Sequence, residues 1–91
     1  MRGIVVARNL SKNYIYILVE SDCTMTYFET SYCEDFQLKD FVHGELQTLG
    51  GETLYNSTQQ FKFHGSTEEI LVTPQPIYLP YYELFNTHPN E

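Results

Sequence analysis

The sequence predicts a single small all-β domain, a closed barrel of mostly antiparallel strands. Its 91 residues allow one hydrophobic core, since two smaller cores would each be unstable alone. With 42% hydrophobic and 15% aromatic residues, the chain can build a packed interior. Helical periodicity is nearly absent before residue 80, whereas β-branched and aromatic residues recur in short runs between turn formers. We therefore predict a barrel domain over residues 1–73 and a Pro/aromatic, acidic C-terminal extension over residues 74–91.

The strands follow one another with turn-forming residues between them. The longer runs are residues 3–8, 14–20, 24–29 and 41–49, and the shorter candidates are residues 53–55 and 61–63. Residues 31–35 form an irregular crossover with room for one helical turn. Gly44 inside the fourth run predicts a bulge or sharp bend, by which small barrels turn their corners. Gly50 and Gly51 then predict a turn that ends this strand.

Alternation along each strand assigns the side chains to two faces. In the second strand the aliphatic Ile15, Ile17 and Val19 are predicted to face the core, and Tyr14, Tyr16 and Leu18 point outward. In the third strand Phe28 shares a face with Thr24 and Thr26, opposite Met25, Tyr27 and Glu29. The outward tyrosines are the candidate binding surface.

Several short motifs in the first half are similar to those of one known family. Residues Met1-Arg2-Gly3-Ile4-Val5 look like its opening strand, and Lys12-Asn13-Tyr14-Ile15-Tyr16-Ile17 looks like its first RNA-binding motif, a Lys followed by alternating aromatics. Tyr27-Phe28-Glu29-Thr30-Ser31 occupies the place of the second motif, and residues 36–42 resemble the approach to strand four. Over residues 1–47 the chain thus resembles a cold-shock or S1-like barrel of the OB class. The resemblance implies a five-stranded OB-like barrel that stacks single-stranded bases on aromatics of strands two and three.

The sequence also departs from this family at the proposed binding face. Tyr14, Tyr16 and Tyr27 match its stacking positions, but Val6, Ala7 and Arg8 stand where the family has a Lys and two aromatics, and Glu29 stands where it has a His. Each lost stacking aromatic removes about 1–3 kcal/mol per base, and a carboxylate repels phosphate. The candidate binding residues are Lys12, Tyr14, Tyr16, Tyr27, Glu29 and His43, the last an outward polar residue of the fourth strand.

Charge favours a protein partner over a polyanion. Twelve acidic residues against five Lys and Arg give a net charge of −7, and every Lys and Arg precedes residue 63. Such a balance opposes binding to an anionic membrane surface or to polyphosphate. We expect a non-catalytic, acidic protein-interaction domain whose exposed tyrosines contact an unknown, basic protein surface. The alternative is single-stranded RNA or DNA binding through the tyrosine face.

No pattern in the sequence predicts catalysis, a cofactor or a metal site. A nucleophile elbow, a Gly-rich phosphate loop and a recognisable triad are all absent. The potential metal ligands lack the spacing of structural sites; they are Cys23, Cys33, His43, His64 and His88. The two cysteines are predicted to be reduced, because the extended strand between them holds them too far apart for a disulfide. Without a signal peptide or a membrane-length apolar run, we expect a cytoplasmic protein without membrane contact.

The C-terminal extension has a different character. Pro74, Pro76 and Pro80 preclude a central strand, yet residues 77–85 crowd seven apolar or aromatic side chains into nine positions. Pro80 and the spacing of the residues after it permit a short helical turn. So apolar a segment must cover the barrel and its tyrosines, self-associate with a second copy through residues 77–85, or bind a partner.

Overall fold

Six antiparallel strands close into a barrel in the computed structural model, which describes residues 1–91. The strands are β1 (Arg2–Asn9), β2 (Tyr14–Val19), β3 (Met25–Glu29), β4 (Phe41–His43), β5 (Gly50–Asn56) and β6 (Phe61–Val72). Around the barrel they run β1-β2-β3-β6-β5-β4, and pairing of β4 with β1 closes the ring. The predicted all-β barrel is confirmed, with six strands in place of five.

The second half of the barrel differs from the predicted strand pattern. The predicted fourth strand over residues 41–49 is wrong, because β4 ends at His43 and the next strand begins at Gly50. Gly44, with a φ of +141°, makes the predicted bend that only glycine adopts readily. A Cβ there would lie 2.6 Å from Leu54 Cδ2. The last strand is also far longer than residues 61–63, since β6 has 12 residues.

The inner face of the barrel wall encloses the larger of two hydrophobic clusters, called here the inner cluster. It contains Val5, Ile15, Ile17, Val19, Phe28, Cys33, Phe36, Val42, Leu46, Leu54 and Phe63. The predicted core face of β2 is therefore confirmed. Phe36 and Phe63 pack edge to face with their ring centroids 4.6 Å apart, a favourable arrangement for aromatic pairs.

A second, outer cluster lies between the barrel wall and the C-terminal segment. It contains Ile4, Val6, Leu18, Met25, Phe41 and Phe85. The segment forms a 3-10 helix over Pro76–Glu83 and one short α-helix over Leu84–Thr87. Neither these helices nor the one before β4 has the length and apolar character that a membrane-spanning helix requires. Of the three predicted arrangements, the structure shows the first, because the C-terminal segment packs against the barrel wall through the outer cluster. Ile77 and Leu79 are nevertheless exposed, and self-association through residues 77–85 stays a prediction.

Arg2 ties the C-terminal segment to β1. Its Nη1 donates to the backbone oxygens of His88 (2.7 Å) and Glu91 (2.8 Å), and its Nη2 donates to the backbone oxygen of Phe85 at 3.1 Å. The same guanidinium forms a bidentate ion pair with Glu20 at 2.9 Å, and these hydrogen bonds lower the pKa of Glu20. One side chain near the start of the chain therefore holds the last seven residues.

The crossover between β3 and β4 contains a single turn of 3-10 helix, Cys33–Asp35, as predicted. It brings Cys33 into the inner cluster, where the Sγ donates to the Tyr14 carbonyl at 3.1 Å. Burial raises the pKa of the Cys33 thiol and lowers its reactivity. Cys23 and Cys33 are both free thiols, which confirms the prediction that they do not pair.

Candidate functional site

Three tyrosines form a continuous strip on the outer face of β2 and β3. Tyr16 and Tyr27 are cross-strand partners, and their ring centroids are 4.7 Å apart at an interplanar angle of 85°. Tyr14 extends the strip, with its ring centroid 6.2 Å from that of Tyr16. All three side chains are half-buried. The sequence-predicted tyrosine positions are therefore brought together, and we call them the tyrosine strip.

Carboxylates line one side of this strip. Glu29 is the cross-strand partner of Tyr14, and Glu69 of β6 is the partner of Tyr27. Burial and the charges of Glu68, Glu29 and Glu69 together raise the pKa of Tyr14. Burial and the charge of Glu69 raise the pKa of Tyr27 as well. We call the three glutamates the acidic border.

Sequence reasoning missed Glu68 and Glu69 because it ended the last strand too early. Adjacent residues of a regular strand also point to opposite faces, whereas β6 carries a β-bulge here. Phe28 pairs with Thr67 and the preceding Tyr27 pairs with Glu69, so two steps along β6 match one step along β3. A bulge interrupts alternation and redirects side chains, and both carboxylates act on Tyr14 as a result.

A sequence signal for this irregularity was present in Gly65. An isolated glycine within a strand pattern indicates a bulge or a close approach of another backbone. A Cβ on Gly65 would lie 2.1 Å from the Glu29 carbonyl oxygen. The glycine thus permits the tight contact between β6 and β3 that brings the acidic border to the tyrosines.

A cavity of about 280 Å³ opens at the end of the tyrosine strip. Its lining residues are Tyr16, Met25, Tyr27, Thr73, Pro74, Gln75 and Tyr78. Tyr78 belongs to the 3-10 helix of the C-terminal segment. The segment therefore leaves the strip half-exposed and adds a fourth tyrosine, Tyr78, at one end of it.

The two remaining candidate residues occupy different places. Lys12 lies in the exposed turn between β1 and β2, two residues before Tyr14, and its backbone N–H donates to the Asn9 carbonyl. His43 lies on β4, which β1 separates from β2. Its Nε2 is 2.9 Å from Ser57 Oγ, and burial and the neighbouring Arg2 lower its pKa. The structure does not bring His43 together with the tyrosines.

The five Lys and Arg residues of the chain are all outside the lining of the cavity. Arg2 holds the C-terminal segment, and Arg8 donates to the Phe36 carbonyl at 2.6 Å. Lys39 lies beside Pro80, and Lys62 lies near the start of β6. None of the residues that line the cavity is a Lys or Arg.

The fold defines a small, closed antiparallel barrel that is compatible with an OB-like barrel. No protein-family model, curated protein or solved structure matches the chain. No group of three or more His, Cys, Asp or Glu side chains is placed to hold a metal ion. The tyrosine strip and its acidic border are therefore the candidate functional surface of this chain.

Proposed function

We propose that this chain is a non-catalytic interaction domain that binds a basic polypeptide through the tyrosine strip and the acidic border. The observation that supports this best is the joining of three half-buried tyrosines to three exposed glutamates on one face of β2, β3 and β6. Tyrosine contributes a large contact area and a hydroxyl group with few side-chain torsions to order. The aromatic area supplies affinity, and the carboxylates select a cationic partner.

The electrostatics of the whole chain support the same partner. A net charge of −7 attracts a basic polypeptide over long distances and accelerates encounter at low ionic strength. Exposed carboxylates at a rim act more on association rate and partner choice than on final affinity. Binding of the proposed partner is therefore expected to weaken as salt concentration rises.

Single-stranded nucleic acid is the second candidate. It is favoured by the position of the tyrosine strip on β2 and β3, where the resemblance to cold-shock barrels implies base stacking, and by Lys12 in the turn beside it. The acidic border opposes it, because Glu29, Glu68 and Glu69 would lie against the phosphates. Without a cationic groove, stacking on tyrosine lacks the phosphate contacts that contribute most of the affinity for nucleic acids.

The test compares an oligolysine peptide with an oligothymidine strand by calorimetry at low salt. The triple variant Glu29→Gln, Glu68→Gln, Glu69→Gln should bind oligolysine about tenfold more weakly than wild type, since each exposed charge contributes about 0.2–1 kcal/mol. The matched control, Glu34→Gln, Glu45→Gln, Glu52→Gln, removes the same charge elsewhere and should keep most of the affinity.

Three outcomes would contradict the proposal. Absence of oligolysine binding would remove it directly. Equal losses of affinity in the two triple variants would show that oligolysine is attracted by the net charge of the chain and not by the acidic border. Binding of oligothymidine in preference to oligolysine, weakened by Tyr14→Leu, would support the nucleic-acid alternative.

A further inference from the structure

The geometry points to a more specific role for the cavity beside the strip: we propose that Tyr16, Tyr27 and Tyr78 form an aromatic cage that receives one Lys or Arg side chain of the partner. This inference rests on the proposed function and adds the chemical class that the surface recognises. It concerns a single inserted cation, whereas the acidic border acts on the partner as a whole.

Three tyrosine rings, those of Tyr16, Tyr27 and Tyr78, form three walls of the cavity. Tyr16 and Tyr27 stand nearly perpendicular, at 85°, and both line the cavity. Tyr78 closes it from the C-terminal segment. The face of an aromatic ring is negative and attracts cations that lie over it, and several rings around one space are the known solution for binding ammonium groups.

The size and lining of the cavity suit one long side chain. Its volume of about 280 Å³ lies below the roughly 300–1,000 Å³ of pockets for drug-sized ligands. Met25 and Pro74 offer apolar contact to the methylene stem of a Lys or Arg. Gln75 and Thr73 carry oxygens that can accept hydrogen bonds from the charged group.

Charge at the cavity selects a cation over a neutral or anionic group. Glu69 is paired with Tyr27, and its charge raises the pKa of that tyrosine together with burial. Residues 63–91, which contribute four of the seven lining residues, contain four glutamates and no Lys or Arg. An ammonium or guanidinium group in this position therefore meets attraction from the rings and from the carboxylate, whereas an anion meets repulsion from both.

The third wall is held in place before any ligand arrives. The N–H of Tyr78 donates to the Gln75 carbonyl at 2.9 Å, which fixes the first turn of the 3-10 helix. Phe85, further along the segment, is buried in the outer cluster. A preformed cage avoids the entropy cost of ordering the segment on binding.

The experiment is an NMR titration of the full chain with three small amides. Acetyl-lysine amide and acetyl-arginine amide supply the cation, and acetyl-norleucine amide supplies a similar stem without charge. We expect the cationic amides to shift the ring resonances of Tyr16, Tyr27 and Tyr78, and norleucine amide to shift them much less. Tyr78→Leu, which keeps apolar volume but removes a π face, should weaken binding about two- to fivefold.

Two control variants separate the cage from a general effect of tyrosine. Tyr78→Phe keeps the ring and should bind within about twofold of wild type. Tyr55→Leu removes an exposed tyrosine of β5, which does not line the cavity, and should leave binding unchanged. Equal losses in Tyr78→Phe and Tyr78→Leu would contradict the role of the ring face. If Tyr78→Leu does not fold, the cage is tested by comparing acetyl-lysine amide with acetyl-norleucine amide on the wild-type protein.

The remaining outcomes distinguish the cage from the proposed function. Equal shifts with norleucine and lysine amides would identify an apolar pocket and overturn the cage. Absence of shifts with either cationic amide, while oligolysine still binds through the acidic border, would overturn the cage and leave the proposed function intact. Absence of binding by the amides and by oligolysine would overturn both.

Discussion

Substitution of Phe85 by alanine should release the C-terminal segment from the barrel. The Phe85 side chain is 3% exposed and packs edge to face against Phe41 and Tyr82, with ring centroids 5.8 Å and 5.1 Å away. The Arg2 guanidinium lies 5.1 Å from its ring centroid. Phe85 is the only fully buried side chain of the helical segments that follow β6. Its removal therefore takes away the main apolar anchor of the segment.

The expected cost follows from the burial of the ring. Replacement of a buried Phe by Ala typically destabilises a protein by about 3–5 kcal/mol. The lower end, about 3 kcal/mol, applies here because the segment lies at the surface and can detach locally instead of leaving a closed void. For a domain of this size that corresponds to a fall in Tm of about 12–24 °C.

Urea unfolding followed by circular dichroism measures this loss, and amide hydrogen exchange locates it. Exchange should accelerate over residues 76–88 and in the parts of β1 and β2 that the segment covers. Ile77→Ala is the matched control, since Ile77 is 71% exposed in the same segment and its loss should cost less than about 0.5 kcal/mol. A Phe85→Ala protein as stable as the control, with unchanged exchange, would refute the role of the outer cluster.

Two further predictions concern the barrel itself. Gly65→Ala should lower the free energy of unfolding by about 1–3 kcal/mol, because the new Cβ would overlap the Glu29 carbonyl oxygen. Gly51→Ala is the control, since a Cβ there would meet nothing closer than 3.9 Å. Urea unfolding should show that this control costs less than about 0.5 kcal/mol. Equal stabilities of the two variants would contradict the close approach of β6 and β3. Burial lowers the pKa of the His43 imidazole below its usual 6.5, so the unfolded chain binds a proton at His43 more readily than the folded chain. The free energy of unfolding should therefore fall as pH drops through about 6.5 towards the folded-state pKa. Urea midpoints of wild type and His43→Gln between about pH 7 and pH 5 test this, since the variant should lose less stability; parallel profiles would argue against it.

Local patterns were sufficient to predict the first half of the barrel. Ile15, Ile17 and Val19 face the core as predicted, because period-two alternation depends only on the strand itself. The split of the fourth strand was not predictable in this way. The bend at Gly44 was predicted, but the separate strand that begins at Gly50 was not, because β5 is defined by its pairing with β4 and β6, which sequence order does not reveal.

The same distinction applies to the candidate site. Tyr14, Tyr16 and Tyr27 could be predicted as one surface because β2 and β3 are consecutive and joined by a short turn. Tyr78 could not, because it reaches the cavity only through long-range docking of the C-terminal segment. Glu68 and Glu69 required the bulge in β6, whose position follows from pairing with β3.

Burial of the β1 and β2 wall from both sides has a consequence for how this chain can vary. In most small barrels every second wall residue meets solvent and tolerates exchange, but Ile4, Val5 and Val6, and likewise Ile17, Leu18 and Val19, are all buried. Neutral drift should therefore be slow in these stretches and faster in β5 and β6, where exposed positions alternate with buried ones. The glutamates of β6 could then diversify among descendants, altering partner preference while the scaffold beneath stays constant.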